Sequence, residues 1–600
     1  MTFGILTFLY ILLNRYDFLA GPQKYFVLKI LNIQNPLLFQ KDILTSLSNQ
    51  TYYTFLAWPF AWLASWIDLR WTFFIGHILT TFFYLYGVYR LGKTIFKDPQ
   101  LAFLGVLGVF FIKPVLIDSS LYPTVFYHRN VSWVLQIFAI LYFLNRRPVI
   151  TGILLGLAFD VTPYAASHLA LLFAFSIFFE RKEFHFREIM QGGTVFLLTA
   201  APMLLWRLLK SGDITLLIPP SVWLSLLKFT AAIYCFPSTL WQSQYGQRST
   251  FLMALVWPFL YSAGFIRRFL SFDGIHKKIG LLMGGVVFLF ALGTIFSELF
   301  PLAVVLQLQF FRAHRFFVLF SILYFVFYLL HRFREEARFI PRFFISVTLA
   351  AFLASKMILC TVLAAIDFLL SQSLLKRIRP TLQITILFLL GCAAVIPSLK
   401  QPLLLNRLFH LNLFFPVACV LTLLFLKNFV RLPVYAFFFV LTLLPPYWGI
   451  EKQFFKNPIL ALTDQIEWPW TSRVSQPYES FFKWAESNTK QDALFLTPPV
   501  PVFVRYFSIL AKRGEILSIE GSVAATSFSY GKEWSKRMGD FGGFPIESFQ
   551  ERYDQLSTEK LTTLLKTYPF DYVVTLTRGK SLDWPIAFQN DEIIAYRVPG

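Results

Sequence analysis

Asp42 closes the run Asn35-Pro36-Leu37-Leu38-Phe39-Gln40-Lys41-Asp42. A carboxylate held in such a loop could take a proton from an acceptor hydroxyl as it attacks an activated sugar. An acid that simply neighbours Lys41 is about as good a reading, and for Asp17 it is the better one. A second set is Phe310-Phe311-Arg312-Ala313-His314-Arg315. Arginine binds phosphate oxygens in a fork and stabilises charge that builds in a transition state, so Arg312 and Arg315 could hold a lipid phosphate. The alternative is snorkelling to headgroups, and His314 reads as structural. A third group is Asp118, Tyr122, His128 and Arg129, followed at the next turn by Asp160, Tyr164 and His168. Ionisable residues at membrane depth are costly, which makes Asp160 and His168 candidates, with a mutually satisfied pair as the alternative. No third ligand completes a metal site there, so no cofactor is indicated, though a divalent metal is compatible with the residues.

Composition limits the scaffold that can position these residues. The 600-residue chain is 56% hydrophobic and 14% charged, with a mean hydropathy of +0.59, whereas soluble domains carry nearer a quarter charged residues. Its 72 Phe and 15 Trp suit lipid-facing and interfacial positions and helix contacts. The net charge of +21 lies almost wholly before residue 451, because residues 451–600 carry 17 Lys and Arg against 18 Asp and Glu. That charge is topological. No base-reading motif accompanies it, which argues against nucleic acid as a partner. Cys235, Cys360, Cys392 and Cys419 all fall in apolar stretches, which excludes a disulfide framework and a paired-cysteine metal site.

Apolar runs near 71–89, 101–117, 131–144, 149–161, 165–179, 194–209, 251–266, 279–297, 314–330, 343–358, 360–370, 382–398, 408–426 and 432–447 predict helical spans, since strands with open edges would leave backbone groups unpaired in lipid. With the run 2–13, which lacks a cleavage signature and reads as a retained first helix, the expectation is an α-helical polytopic protein of about 13 to 15 transmembrane helices. Basic clusters at Arg90/Lys93/Lys97, Arg146/Arg147, Arg181/Lys182/Arg187, Arg267/Arg268/Lys277/Lys278, Arg332/Arg334/Arg338/Arg342, Lys376/Arg377/Arg379 and Lys427/Arg431 alternate between spans. If 221–235 is a non-spanning helix, all of them reach one side, the cytoplasmic one. The loops 14–53, 118–130, 160–164, 210–250, 299–313 and 399–407 then face outward. So does everything after 450. Trp58, Trp62 and Trp66 share one face of an interfacial helix.

From Glu451 the charge becomes mixed, which predicts two domains: a transmembrane part over 1–450, with its long first outer loop at 14–53, and an extracytoplasmic soluble α/β domain over 451–600. Helices are expected at 477–488 and 558–568, and strands at 493–497, 570–576 and 592–598.

The loop run ending at Asp42, the run Tyr127-His128-Arg129, the span-turn-span 152–174 and the tail pattern Trp484…Asn488-Thr489…Asp492-Ala493-Leu494-Phe495-Leu496-Thr497-Pro498-Pro499 resemble a family of bacterial, often cyanobacterial, polytopic membrane proteins. That family is similar to the GT-C class of membrane glycosyltransferases, which includes protein mannosyltransferases and oligosaccharyltransferase. The resemblance implies an acidic catalytic residue in the first outer loop, matched here to Asp42, and a polyprenyl-phosphate sugar donor. It also implies a bacterial inner membrane as the location. The expected function is an inverting sugar transfer at the outer face. Asp42 would be the base, and Arg129, His128, Arg312, Arg315 and Asp160 would contact a lipid-borne substrate. The acceptor (glycan, lipid or protein) is left open. A transporter or lipid flippase, and a non-catalytic assembly protein, are the rival readings.

Overall fold

The computed structural model describes residues 2–335 and 466–599, apart from 15, 22, 49–53, 112–121, 123–124, 211–217, 239–247, 267, 472, 519–522 and 524–526, together with 345, 348–349 and 363–364. Asp118, three of the four cysteines and the spans expected from 343 to 447 lie outside the described residues.

The chain enters as α1 (Thr2–Asn14) and builds its first loop from α2 (Gln23–Gln34), α3 (Ile43–Ser48) and α4 (Ala57–Leu63). α5 (Leu69–Phe96) starts where the Asp68 carboxylate accepts the Arg70 N–H, and ends at Lys97 in a left-handed conformation. α6 (Pro99–Phe111), α7 (His128–Leu144), α8 (Pro148–Val161), α9 (Pro163–Phe179) and α10 (Phe186–Lys210) run back and forth. Proline occupies the first position of α8 and α9, where its missing N–H costs nothing. The short α11 (Ser221–Thr230) and α12 (Ala232–Cys235) precede α13 (Arg248–Ile266), α14 (Gly274–Thr294), α15 (Ala303–Leu308) and α16 (His314–Glu335).

Four stretches are long and apolar enough to cross a membrane: Leu69–Phe96, Phe186–Leu209, Gly274–Leu299 and Ala303–Glu335. The expected larger number is only partly met among the described residues. α7, α8 and α9 have 17, 14 and 17 residues, short of the ~20 needed for a perpendicular crossing. The two extremes of packing are informative. The span ending in α16 is 89% buried and is apolar on every side, so it forms the centre, whereas the span in α10 is 11% buried and lies at the periphery. α10 reaches the rest through α8, where a Cβ at Gly152 would stand 2.5 Å from the Gly192 carbonyl oxygen and one at Gly156 2.5 Å from Thr199.

Ion pairs join the loops that carry the basic clusters: Arg334 to Asp98 (3.0 Å), Arg146 to Glu183 (3.2 Å) and Lys277 to Glu180 (3.4 Å). Those clusters therefore share one end of the bundle. At the other end stands the C-terminal part, with α17 (Gln476–Asn488), α18 (Pro501–Leu510), α19 (Phe528–Asp540), α20 (Phe549–Asp554) and α21 (Thr558–Leu565) around a sheet. Its strands are β1 (Leu494–Leu496), β2 (Gly514–Glu515), β3 (Tyr572–Leu576), β4 (Ile586–Gln589) and β5 (Ile593–Arg597), in the order β2-β1-β3-β5-β4. β1 is parallel to β2 and β3, while β5 is antiparallel to β3 and β4. Rings from α11 pack on this part, Trp223 on Phe528 and Phe229 on Phe544. α11 is thus a helix laid under the tail.

Candidate functional site

Three helices, α7, α9 and α16, begin at the same place, and each brings polar residues in its first turn or just before it. Arg129, the second residue of α7, lies 5.3 Å from the Tyr127 ring centre and 5.7 Å from that of Tyr164 on α9. Arg312, in the tight turn Phe310–Ala313 before α16, donates to the Tyr164 hydroxyl at 2.9 Å. Its guanidinium also lies 3.9 Å from the ring centre of Tyr234 on α12. Arg315 sits 5.3 Å from the Trp133 ring centre, one turn along α7. Helix N-termini carry partial positive charge and unshared N–H groups, so three of them beside three guanidinium groups form a place suited to an anion. Aromatic faces hold the guanidinium planes, a contact that arginine favours.

The neighbours of this cluster divide clearly. Asp160, next to last in α8, accepts the Met203 N–H at 3.2 Å through Oδ1, is half-buried, and shares the α8–α9 turn with Tyr164. Its backbone carbonyl accepts the Phe55 N–H at 3.2 Å, which ties this turn to the first loop. His168 is buried, with Nε2 2.7 Å from the Leu308 carbonyl and its ring against Tyr164 and Phe310. It positions the turn before Arg312. His314 caps the same turn through Nδ1 and the Phe311 carbonyl (2.9 Å). His128 is buried and packs on Phe26 of α2 and on Tyr127, each with ring centres 5.7 Å apart, and Tyr127 is also the ring beside Arg129.

Asp42 also receives a different task from the expected one. It is 2% exposed. Oδ1 accepts the N–H groups of Leu44 (2.8 Å) and Thr45 (3.1 Å) at the start of α3, and Oδ2 accepts the N–H of Glu515 in β2 (2.8 Å). Three backbone donors thus bond the two oxygens of an enclosed carboxylate. Burial pushes the carboxyl up from 3.8 to about 6, even though those N–H groups favour the anion. Asp42 therefore joins the tail to the first loop. The folded form binds this proton more tightly than the unfolded one, so the contribution of Asp42 to stability declines as pH rises from about 4 to about 6. Thermal midpoints of the wild type minus those of Asp42→Asn should fall across that window; a flat difference would contradict this assignment.

Further bonds reinforce the junction. Lys24 Nζ donates to Glu515 Oε2 (2.8 Å) and to the Val504 carbonyl (2.7 Å), and Glu515 also accepts from Thr497 (2.7 Å) and Ser508. Arg505 bridges the Phe18 carbonyl and Glu467 (3.0 Å), while Asp17 pairs with Arg473 (2.6 Å) and Lys41 with Asp492 (2.6 Å). Neither Lys24 nor Glu515 was singled out in the sequence, because their meeting joins positions 491 residues apart. Tyr234 was missed for the same reason. Among the described residues no group of three or more His, Cys, Asp or Glu side chains could hold a metal ion.

Neither a family model nor a curated protein matches the chain.

Proposed function

We propose that the chain is a membrane glycosyltransferase that takes a sugar from a polyprenyl-phosphate donor, with the phosphate held at Arg129, Arg312 and Arg315. The observation that carries this reading is the meeting of Arg129 and Arg312 at Tyr164, with Arg315 over the Trp133 ring, where α7, α9 and α16 begin. Charge-assisted bonds from guanidinium groups stabilise a phosphate leaving group more than the diester it departs from, so they act on the transition state. Asp160 replaces Asp42 as the acid nearest this cluster along the chain, and its second oxygen has no protein partner among the described residues. It would accept the proton of the acceptor hydroxyl in a single inverting displacement. The site is then at the end of the bundle bearing the tail, which in this reading faces outward from a bacterial inner membrane.

The test is reconstitution of the full chain in liposomes with a labelled polyprenyl-phosphate sugar and measurement of both sugar release and retention of polyprenyl phosphate. Arg129→Gln is expected to weaken retention about tenfold or more, the size of one hydrogen bond to a charged group. Asp160→Asn should leave retention intact and stop transfer. Equal retention by wild type and Arg129→Gln would count against the reading.

A further inference from the structure

At the end of the bundle away from the tail, a cavity of about 300 Å³ opens between α7, α8, α9 and α10. Its walls are apolar: Phe143, Leu155, Phe173, Ile177 and Phe196, with Gly193 on the α10 side. The Phe143 ring stacks on Phe173 at 4.2 Å and on Phe184 at 5.7 Å, which makes one aromatic wall. The volume is at the lower end of the small-molecule range and has the size of part of a hydrocarbon chain.

The mouth has the opposite character. Arg146 and Arg147 line it. Arg146 lies over the Phe184 ring (5.8 Å) and pairs with Glu183, and behind it the buried Lys278 lies 5.3 Å from the same ring centre and 3.9 Å from Glu183. Across the three loops that meet here, Arg146, Arg147, Arg181, Lys182, Arg187, Lys277 and Lys278 outnumber Glu180, Glu183 and Glu188. An apolar slot with a net positive mouth, between helices apolar enough to enter a membrane, matches a molecule with a hydrocarbon tail and an anionic head.

We infer that this slot binds one acyl chain of an anionic phospholipid whose headgroup rests on Arg146 and Arg147. Zwitterionic lipids would fit the slot but gain little at its mouth. The inference rests on the helices lying in a membrane and is independent of sugar transfer, since the slot and the Tyr164 cluster lie at opposite ends of α7, α8 and α9. The slot exists because of local glycine chemistry. Gly152 lets α10 approach α8 closely, whereas a Cβ at Gly193 would meet nothing within 4 Å and points into open space.

That difference supplies the experiment. The full chain is placed in nanodiscs of equal parts phosphatidylglycerol and phosphatidylcholine with matched chains, then extracted gently, and retained lipid is counted by native mass spectrometry. The wild type should retain phosphatidylglycerol in preference. Arg147→Gln should reduce that preference about fivefold, the worth of one basic residue at an anionic surface. Gly193→Leu, which places a branched side chain at a slot-lining position where a Cβ has open space, should lose the retained lipid, while Gly193→Ala should keep it. Equal retention of both lipids by the wild type, or unchanged retention by Gly193→Leu, would overturn the inference. Should Gly193→Leu fail to fold, Arg147→Glu decides: a preference that survives charge reversal overturns it.

Discussion

Lys24→Ala is expected to loosen the tail from the first loop, with a loss of about 3–5 kcal/mol, the size seen when one partner of a buried ion pair is removed. Lys24 and Glu515 are 4% and 6% exposed, so water does not replace the lost ammonium group. Glu515 would keep only its hydroxyl donors, Thr497 and Ser508, and the Val504 carbonyl would lose its donor. The measurement is limited proteolysis of the reconstituted chain together with thermal unfolding. The double variant Lys24→Met with Glu515→Gln should recover much of the loss, because it removes both charges rather than stranding one. A protease-resistant Lys24→Ala protein with an unchanged midpoint would show that the junction does not depend on this pair. By contrast, Lys41→Ala should matter little: its pair with Asp492 is about half exposed on both sides.

If the chain transfers sugar as proposed, Arg312→Lys should lower the catalytic efficiency of that transfer by roughly 100-fold. The substitution keeps the charge and removes what the geometry uses. A lysine cannot lie flat on the Tyr234 ring at 3.9 Å, donate to the Tyr164 hydroxyl and still present parallel N–H groups to a phosphate. Loss in Arg312→Lys with normal retention of polyprenyl phosphate would assign Arg312 to the transition state, and loss of both would assign it to binding. Full transfer by both Arg312→Lys and Arg312→Ala would sink the proposed role.

The junction and the arginine cluster also differ in how far the sequence exposed them. Arg312 and Arg315 stand out in the sequence because they are cations at the end of the bundle where the positive clusters are not. Tyr164 is singled out there with Asp160 and His168, but only the meeting of α9 with the turn before α16 makes its hydroxyl the partner of Arg312. Asp42 shows the reverse case. Residue type and loop position suggested a base, and neither carries information about a strand edge 473 residues away that takes up its second oxygen.

Local chemistry was legible in the tail as well. The strands expected at 493–497, 570–576 and 592–598 appear as β1, β3 and β5, each a short apolar run with β-branched or aromatic residues. α18 lies where no helix is expected from the sequence; Pro501 occupies its first turn, where proline is tolerated, and Phe503 and Phe507 are buried on one face. β2 has two residues, too few for any pattern, and it owes its place to pairing with β1 and to Asp42.

Alone, the sequence determined the apolar helical character of the described first part, the mixed-charge α/β tail and the gathering of the described basic clusters at one end, since these follow from transfer free energies that each residue carries wherever it sits. Tertiary structure decided which charged residues are site and which are scaffold. That distinction depends on burial and on partners hundreds of residues away, and the energy of a buried carboxylate or guanidinium is set by those neighbours and not by the residue itself.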